Sequence, residues 1–297
     1  VDTSGTTLTL TYGEAIFATT APTSAFTVTV NSVQVTVNSV TVSGSTIQLG
    51  LASTVGAGQP VTFAYVAPAS NGSTSNSAIQ DAAGNDSVSL TSRAITTNSS
   101  TVDLTGPVLS SAAVNNLGTV LTLTYNEPLS STTAPASRFT VTVGGVSRDV
   151  TSAVVSGSTV QLTLASTVGA SQVVTIAYLA PPVDGTTSNS AVQDSSGNDA
   201  LTLSARGVTN NSTIDLTGPA ISSSILAANG TTLTLSYNEA LNATTAPTSA
   251  YTVLVDGLSR TVSSAVVSGS TVVLTLTPAV DRGQVVTVSY SAPTADG

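Results

Sequence analysis

The sequence predicts an all-β protein built from antiparallel β-sandwich domains in tandem. Three observations support this prediction: a repeat of about 112 residues, frequent alternation of Thr or Ser with apolar residues, and Gly, Asn or Pro between short apolar runs. Thr and Val favour strands, and alternation gives each strand one face for a core. Short strands every ~8–12 residues with turn signals between them are typical of a β-sandwich.

The repeat is defined by phrases that recur in register. The only glutamates, Glu14, Glu127 and Glu239, lie 113 and 112 residues apart (127 − 14 and 239 − 127), in phrases of the LTLTYNEPL type. The phrases VSGST and DLTGP keep this spacing, which matches a self-sufficient domain of roughly 100 residues. We predict three domains: 1–102 (repeat 1, incomplete at its start), 103–214 (repeat 2, complete) and 215–297 (repeat 3, incomplete at its end).

The composition excludes several classes of protein. The chain contains no Cys and no His, and its six basic residues are all Arg. It therefore has no disulfide, no thiolate metal site and no histidine general base. A net charge of −9 argues against nucleic-acid binding, and the apolar runs are too short to span a membrane. We predict that the protein is not an enzyme.

The strands of repeat 2 can be placed in order from alternation and turns. We predict them at 108–114, 119–126, 138–143, 147–155, 159–164, 173–179 and 200–208. Because successive strands alternate in direction, the linker, the end of the second strand and the loop after the sixth strand should meet at one end of the domain. We call this end the N-terminal pole.

Most acids of repeat 2 fall at this predicted pole. They are, with one amide, Asp103, Glu127, Asp184, Asp194, Asn198 and Asp199. Bare carboxylates a few ångströms apart repel by roughly 1–4 kcal/mol per pair. Oxygen-only ligands of this kind suit Ca²⁺. Register extends the predicted calcium ligands to Glu14, Asp81, Asn85, Asp86, Asp215, Glu239 and Asp296.

Simpler interpretations of these residues stay open at this stage. The Asp-x-x-Gly-Asn-Asp phrase also suits a plain Asx or type I turn, and Asp103 could merely cap the linker ahead of Pro107. The pairs Asp81/Asp86 and Asp194/Asp199 could be the two carboxylates of a glycoside hydrolase. Aromatic residues are only 4% of the chain and alternate along strands, so no aromatic sugar cleft is indicated.

The repeats resemble a family of known surface proteins. The phrases LTLTYNEPL, RFTVTV, GGVSR, VQDSSGND and DLTGP look like the SWM-type repeat of giant bacterial cell-surface proteins, a family associated with swimming. More loosely, they are similar to bacterial immunoglobulin-like repeats of secreted adhesins. The resemblance implies an immunoglobulin-like sandwich, an extracellular or cell-surface location and calcium binding. It implies that the linker residues Asp103 and Asp215, and the loop residues Asp81, Asn85, Asp194 and Asn198, bind the ion.

These observations predict a mechanical function. The chain would be a calcium-stiffened spacer or filament whose partners are its own neighbouring repeats and, in a filament or lattice, other copies of itself. Two alternatives remain: an adhesin module that binds a glycan or another cell, and the unit of a self-assembling sheath or surface layer. The near-identity of the copies favours a spacer or a lattice over a receptor-binding tip.

Overall fold

The computed structural model describes residues 1–68, 77–182, 190–244 and 246–293. These residues form an almost entirely β structure, with single 3-10 turns at Thr23–Ala25, Ala136–Arg138 and Thr248–Ala250. No helix within these ranges is long and apolar enough to cross a membrane. The chain divides into two compact units, Val1–Ile214 and Asp215–Gly297.

The strands follow the repeats closely. In repeat 1 they are β1 (Thr7–Thr11), β2 (Phe26–Val30), β3 (Val33–Val35), β4 (Val37–Ser43), β5 (Thr46–Leu51), β6 (Val61–Tyr65) and β7 (Leu90–Ala94). In repeat 2 they are β8 (Leu109–Val114), β9 (Val120–Tyr125), β10 (Phe139–Val143), β11 (Val146–Arg148), β12 (Val150–Ser156), β13 (Thr159–Leu164), β14 (Val174–Tyr178) and β15 (Leu203–Asn210). In repeat 3 they are β16 (Ile221–Leu226), β17 (Thr232–Tyr237), β18 (Tyr251–Val255), β19 (Leu258–Ser268), β20 (Thr271–Thr277) and β21 (Val286–Tyr290).

The strands of repeat 2 are joined in the order β11-β10-β14-β15-β8-β9-β13-β12. Adjacent strands are antiparallel except β15 and β8, which run parallel and place Thr209 opposite Ala113 and Asn210 opposite Val114. Strand β8 therefore links the group that contains β10 and β14 to the group that contains β9 and β13. The predicted all-β, mainly antiparallel architecture is confirmed, whereas the immunoglobulin-like arrangement remains a prediction.

Alternation along the strands builds the core of repeat 2. Leu121 and Leu123 on β9 are fully buried, and so is Ile176 on β14, while the intervening threonines are partly exposed. The buried residues of both strand groups belong to one apolar cluster. Burying each such side chain stabilises the fold by about 1.5–3 kcal/mol.

The fourth predicted strand of repeat 2, at 147–155, is wrong as a single strand. The chain breaks at Asp149, between β11, which pairs with β10, and β12, which pairs with β13. The Asp149 carbonyl accepts a hydrogen bond from the Ala165 amide (2.9 Å) rather than continuing either ladder. Alternation alone did not show this exchange of partners. In repeat 3, the single strand β19 makes both pairings.

The linkers are fastened to the preceding repeat by asparagine side chains. The Nδ2 of Asn98 donates to the carbonyls of Gly56 (2.9 Å) and Gln59 (3.1 Å). The Nδ2 of Asn210 makes the matching bonds to Gly169 (2.9 Å) and Gln172 (3.0 Å). The start of each linker is therefore fixed by direct protein contacts.

Candidate metal centre

The linker residue Asp103 has a self-contained local geometry. Its Oδ1 accepts hydrogen bonds from the backbone amide of Thr105 (2.9 Å) and from the Thr105 hydroxyl (2.7 Å). These two bonds lower the pKa of Asp103 below its ordinary value, so the carboxylate is charged at neutral pH. Asp215 makes the same pair of bonds with Thr217.

Glu127 follows β9 and lies beside the linker. The preceding residue, Asn126, fixes this position because its Oδ1 accepts from the Val108 amide (2.6 Å) and its own amide donates to the Val108 carbonyl (3.0 Å). Partial burial raises the pKa of Glu127, and the nearby charges of Asp103 and Asp194 raise it further. Ionising Glu127 is therefore less favourable in the folded chain than in the unfolded chain.

The third acid, Asp194, lies in the loop between β14 and β15 and is only 2% exposed. Its Oδ1 accepts from the backbone amides of Ser196 (2.8 Å) and Asn198 (2.9 Å). Its Oδ2 accepts from the Asn198 side chain (2.8 Å), which also donates to the Asp103 carbonyl (3.1 Å). Gly197 has a φ of +88°, a left-handed conformation that glycine adopts at little cost. Asn198 thus links the loop to the linker.

The same loop is formed in repeat 1. Asp81 Oδ1 accepts from the amides of Ala83 (2.9 Å) and Asn85 (2.8 Å), and its Oδ2 accepts from the Asn85 side chain (2.7 Å). The loop is therefore an Asx-type turn that satisfies its own carboxylate, as the simpler interpretation of the sequence expected. In repeat 2 this turn also presents an acid to the linker.

The structure brings Asp103, Glu127 and Asp194 into one cluster, in which one carboxylate oxygen from each lies within 4.8 Å of the others. The three acids come from the linker, a strand end and a distant loop. The hydrogen bonds to Asp103 and Asp194 come from neutral amides and a hydroxyl, which leave negative charge at the cluster. An all-oxygen group of this kind could hold a hard metal ion.

The remaining predicted ligands have different positions. Asp199 is 8% exposed and pairs with Gln193 through an isolated β-bridge, and Asp86 pairs with Gln80 in the same way. Glu14 is exposed, and no group of three acids forms among the described residues of repeat 1. In repeat 3, the hydrogen bonds from Thr217 lower the pKa of Asp215, and a hydrogen bond with Glu239 lowers it further. Asp184 and Asp296 lie outside the described residues.

Sequence reasoning missed the tyrosines that hold the loop. The hydroxyl of Tyr178, at the end of β14, accepts from the Val192 amide (2.9 Å), two residues before Asp194. Tyr65 accepts from the Ile79 amide (3.0 Å) in the same way. Both rings are 2% exposed. The signal was present in the sequence, because a Tyr recurs in register in the phrases VTFAY, VTIAY and VTVSY.

The glycine of the DLTGP linker has a packing function. A Cβ added at Gly106 would lie 2.1 Å from the carbonyl oxygen of Asp199, so the linker backbone lies directly against the loop. A Cβ added at the corresponding Gly218 would meet nothing within 4 Å. The close contact of Gly106 therefore depends on the loop that contains Asp199.

We predict that Gly106→Ala destabilises repeat 2 by about 1–3 kcal/mol, because the linker or the loop must shift to admit the methyl group. Gly218→Ala is the matched control and should change the free energy of unfolding by less than about 0.5 kcal/mol. Thermal unfolding of the full chain measures both. Equal effects of the two substitutions would contradict the close contact.

The raised pKa of Glu127 predicts a pH-dependent stability. Above the ordinary value of 4.5 the unfolded chain ionises this group more readily than the folded chain does, so the folded state is penalised as the pH rises. Below that value, both states are protonated and the penalty disappears. In EGTA at pH 7, Glu127→Gln should therefore stabilise the chain, by roughly 0.5 kcal/mol after allowance for solvent screening.

The stabilisation of Glu127→Gln should fade as the pH is lowered toward 4. Denaturant unfolding of wild type and variant across pH 3.5–7 would measure it. Glu14→Gln serves as the control, because Glu14 is exposed and lies outside any described acid cluster. A Glu127→Gln effect that is destabilising and independent of pH would show that the cluster does not repel this carboxylate.

Comparison with solved structures found weak likeness to bacterial surface-layer proteins. The N-terminal part of the bacterial S-layer protein SbsC matches with 18% identity over 61% of this chain and 43% of its own, with a TM-score of 0.28. The S-layer protein rSbsC matches with 12% identity and a TM-score of 0.25, and domains 1–6 of surface layer protein SbsC with 13% and 0.26. Each of these two matches covers 98% of this chain and 52% of the other.

This chain thus spans about half the length of the S-layer structures it matches, and TM-scores this low carry no argument about function. A search of curated proteins found no match. The family comparison is decisive, because the SWM repeat, described as a "Putative flagellar system-associated repeat", matches residues 1–70, 102–183 and 201–295. The chain belongs to the SWM repeat family, as the resemblance of its phrases predicted.

Proposed function

We propose that this chain is a structural, non-catalytic segment of an extracellular or cell-surface protein, in which Ca²⁺ braces the linker ahead of a repeat. The meeting of Asp103, Glu127 and Asp194 supports the proposal most directly. One acid belongs to the linker and two belong to the repeat that follows it. An ion bound to all three would fasten the linker to the domain.

The donor set suits Ca²⁺ better than other common ions. Carboxylate and carbonyl oxygens are hard ligands, and Ca²⁺ accepts six to eight of them in flexible geometry. The chain has no His or Cys to favour zinc or copper. Burial raises the pKa of Glu127, and the negative charges of Asp103 and Asp194 raise it further; a divalent cation would neutralise those charges. Asn198, Asp199 and Asp184 are further proposed ligands in repeat 2.

The proposed mechanical effect depends on the contacts that hold each end of the linker. The Asn98 side chain already fastens the start of the linker to repeat 1. At the other end, the Asn198 side chain donates to the Asp103 carbonyl, and the cluster adds repulsion unless a cation is bound. Calcium would therefore strengthen the attachment at the second end of the linker, where the Asn198 bond holds the linker against the charge repulsion of the cluster.

A second candidate function is self-assembly into a sheath or surface layer. An exposed apolar residue recurs in register at the start of the strand that follows the same hairpin turn in each repeat. These residues are Val33 of β3, Val146 of β11 and Leu258 of β19, and their side chains are 68%, 62% and 75% exposed. A side chain repeated at one period along an array could make the same lateral contact many times. An adhesin module that binds a glycan has no comparable observation in its favour.

We predict that the full chain binds Ca²⁺ and that Glu127→Ala weakens the binding at least about tenfold, because a hard cation loses a charged ligand. Isothermal titration calorimetry would measure the affinity and the stoichiometry. Asp149→Ala is the control, since it removes an exposed acid of repeat 2 that lies outside the cluster and outside the predicted ligands. Titration curves that are unchanged by Glu127→Ala combined with Asp194→Asn would refute the calcium site.

Small-angle scattering would test the mechanical part of the proposal. In calcium, the linker should be held more firmly at its second end, so the full chain should show a larger or more narrowly distributed maximum dimension than in EGTA. Glu127→Ala in calcium should behave like wild type in EGTA. Scattering curves that superpose in calcium and EGTA would favour a tether or a lattice that is stiffened without calcium.

A further inference from the structure

Two glutamine side chains are buried in the loops that form the Asp81 and Asp194 turns. Gln80 is 1% exposed and Gln193 is 0% exposed, and they lie 113 residues apart (193 − 80), at the same position of repeats 1 and 2. In both side chains the Oε1 and Nε2 atoms are shielded from solvent and make no hydrogen bond within the described residues. A carboxamide can accept two hydrogen bonds and donate two, so each glutamine has a hydrogen-bonding capacity that the protein does not use.

The backbone of Gln193 is fixed from two sides. Its carbonyl accepts a hydrogen bond from the Ser130 amide (2.8 Å), and a β-bridge joins Gln193 to Asp199. The carbonyl of the preceding Val192 accepts from the Ala200 amide (2.7 Å). Residues 192–194 therefore form a short extended segment that is bonded to a neighbouring segment on each side, and the backbone determines where the glutamine side chain starts.

The glutamines lie on the face of this segment that is opposite the apolar core. Successive side chains of an extended segment point to opposite faces. Val192 belongs to the apolar cluster of repeat 2, so Gln193 points away from it. Repeat 1 is arranged in the same way, because Ile79 belongs to its apolar cluster and the Gln80 carbonyl accepts from the Phe17 amide (2.8 Å). Each carboxamide is therefore buried outside the hydrocarbon core of its repeat.

A threonine hydroxyl in the same part of each repeat also has no partner. The Oγ1 atoms of Thr20 and Thr133, which lie 113 residues apart (133 − 20), are buried and make no hydrogen bond in the part of the chain that the structure describes. Thr133 follows Ser130 by three residues, so their Cα atoms are at most about 11 Å apart. Because the Ser130 amide bonds directly to Gln193, the buried hydroxyl and the buried carboxamide belong to one region of the repeat.

The chemistry of these groups favours water as their ligand. A cation could bind the Oε1 of Gln193, but its charge would repel the N–H groups of Nε2. Water both donates and accepts, and a buried water typically makes about three hydrogen bonds to polar groups that are otherwise unsatisfied. Buried polar groups in folded proteins are nearly always hydrogen-bonded to protein or to ordered water. An unsatisfied donor and acceptor on one side chain therefore indicate a bound water.

We infer that Gln193 and Gln80 each hold an ordered water molecule inside their repeat, on the side of the loop that faces away from the apolar core. In repeat 2 this water connects the loop to the segment that ends at Thr133. Gln193 comes directly before Asp194, so the water helps to fix the loop that supplies one acid to the cluster. The water site is distinct from the proposed calcium site and forms without an ion.

Magnetic relaxation dispersion of the full 297-residue chain in EGTA would test the inference, because it counts water molecules that stay in the protein longer than the protein takes to rotate. We expect at least two such waters. Gln193→Met and Gln80→Met should each remove one, since a thioether cannot donate a hydrogen bond and accepts one only weakly. Gln161→Met is the matched control, because Gln161 is exposed on β13, and it should leave the number unchanged.

Thermal unfolding of the same variants distinguishes a hydrated carboxamide from one without any partner. If water satisfies Gln193, Gln193→Met leaves other buried polar groups unpaired and should lower the melting temperature by a few degrees. If the carboxamide has no partner, the same substitution removes an uncompensated polar group and should raise the melting temperature. A raised melting temperature, a wild-type chain without long-lived waters, or a number of waters that neither substitution changes would overturn the inference. Because both measurements are made in EGTA, failure of calcium binding would leave their outcomes unaffected.

Discussion

In repeat 2, strand β8 is hydrogen-bonded to β9 on one side and to β15 on the other, and the rest of the domain depends on this double pairing. It joins the two strand groups and buries Leu109 and Val114 between them. It also determines where the linker must run, because the linker leads directly into its first residue. The position of Asp103 relative to Glu127 is therefore a consequence of how β8 is paired.

The N-terminal pole combines firm local structure with unfavourable electrostatics. Thr105 satisfies Asp103, and the backbone of its own loop satisfies Asp194, so each acid is held by hydrogen bonds that do not involve the other acids. Burial raises the pKa of Glu127, and the charges of these two acids raise it further. The fold thus accepts electrostatic repulsion at this pole, and a cation would turn the repulsion into attraction. The turn at Asp194 does not need the neighbouring acids in order to form, because the Asp81 turn of repeat 1 makes the same hydrogen bonds outside any described acid cluster.

Much of the fold and of the acidic cluster could be predicted from the sequence, because strands alternate their side chains between two faces and successive antiparallel strands reverse direction. Alternation located β13 at the residues observed, and counting strand directions was enough to bring Asp103, Glu127 and Asp194 to one end of repeat 2. The exchange of partners at Asp149 could not be predicted, because residues on both sides continue the same alternating pattern. The contacts of Asn98 and Asn210 depend on which carbonyls a loop presents, and alternation carries no information about that.

Register was the most useful signal and also the one most easily overextended. Gly106 lies against the backbone of Asp199, and Arg206 donates to the carbonyls of Leu109 and Ser110 on β8. Both partners are distant in the sequence. A repeated residue therefore marks the place of a contact, whereas its partner has to be found from the fold.

The same double pairing of β8 would determine how a repeat responds if its two ends were pulled apart. Its parallel neighbour β15 ends at Asn210, where the next linker starts, so the entering and leaving strands lie side by side. A pull along the array loads the bonds between them along the strand direction, and those bonds must then fail together rather than one after another. The Arg206 contacts to Leu109 and Ser110 add to this connection near the point where force enters. Tension that enters through the linker passes Asp103 before it reaches β8. A brace at the acidic cluster would therefore divert part of the load to β9 and to the loop before it reached the β8–β15 pairing.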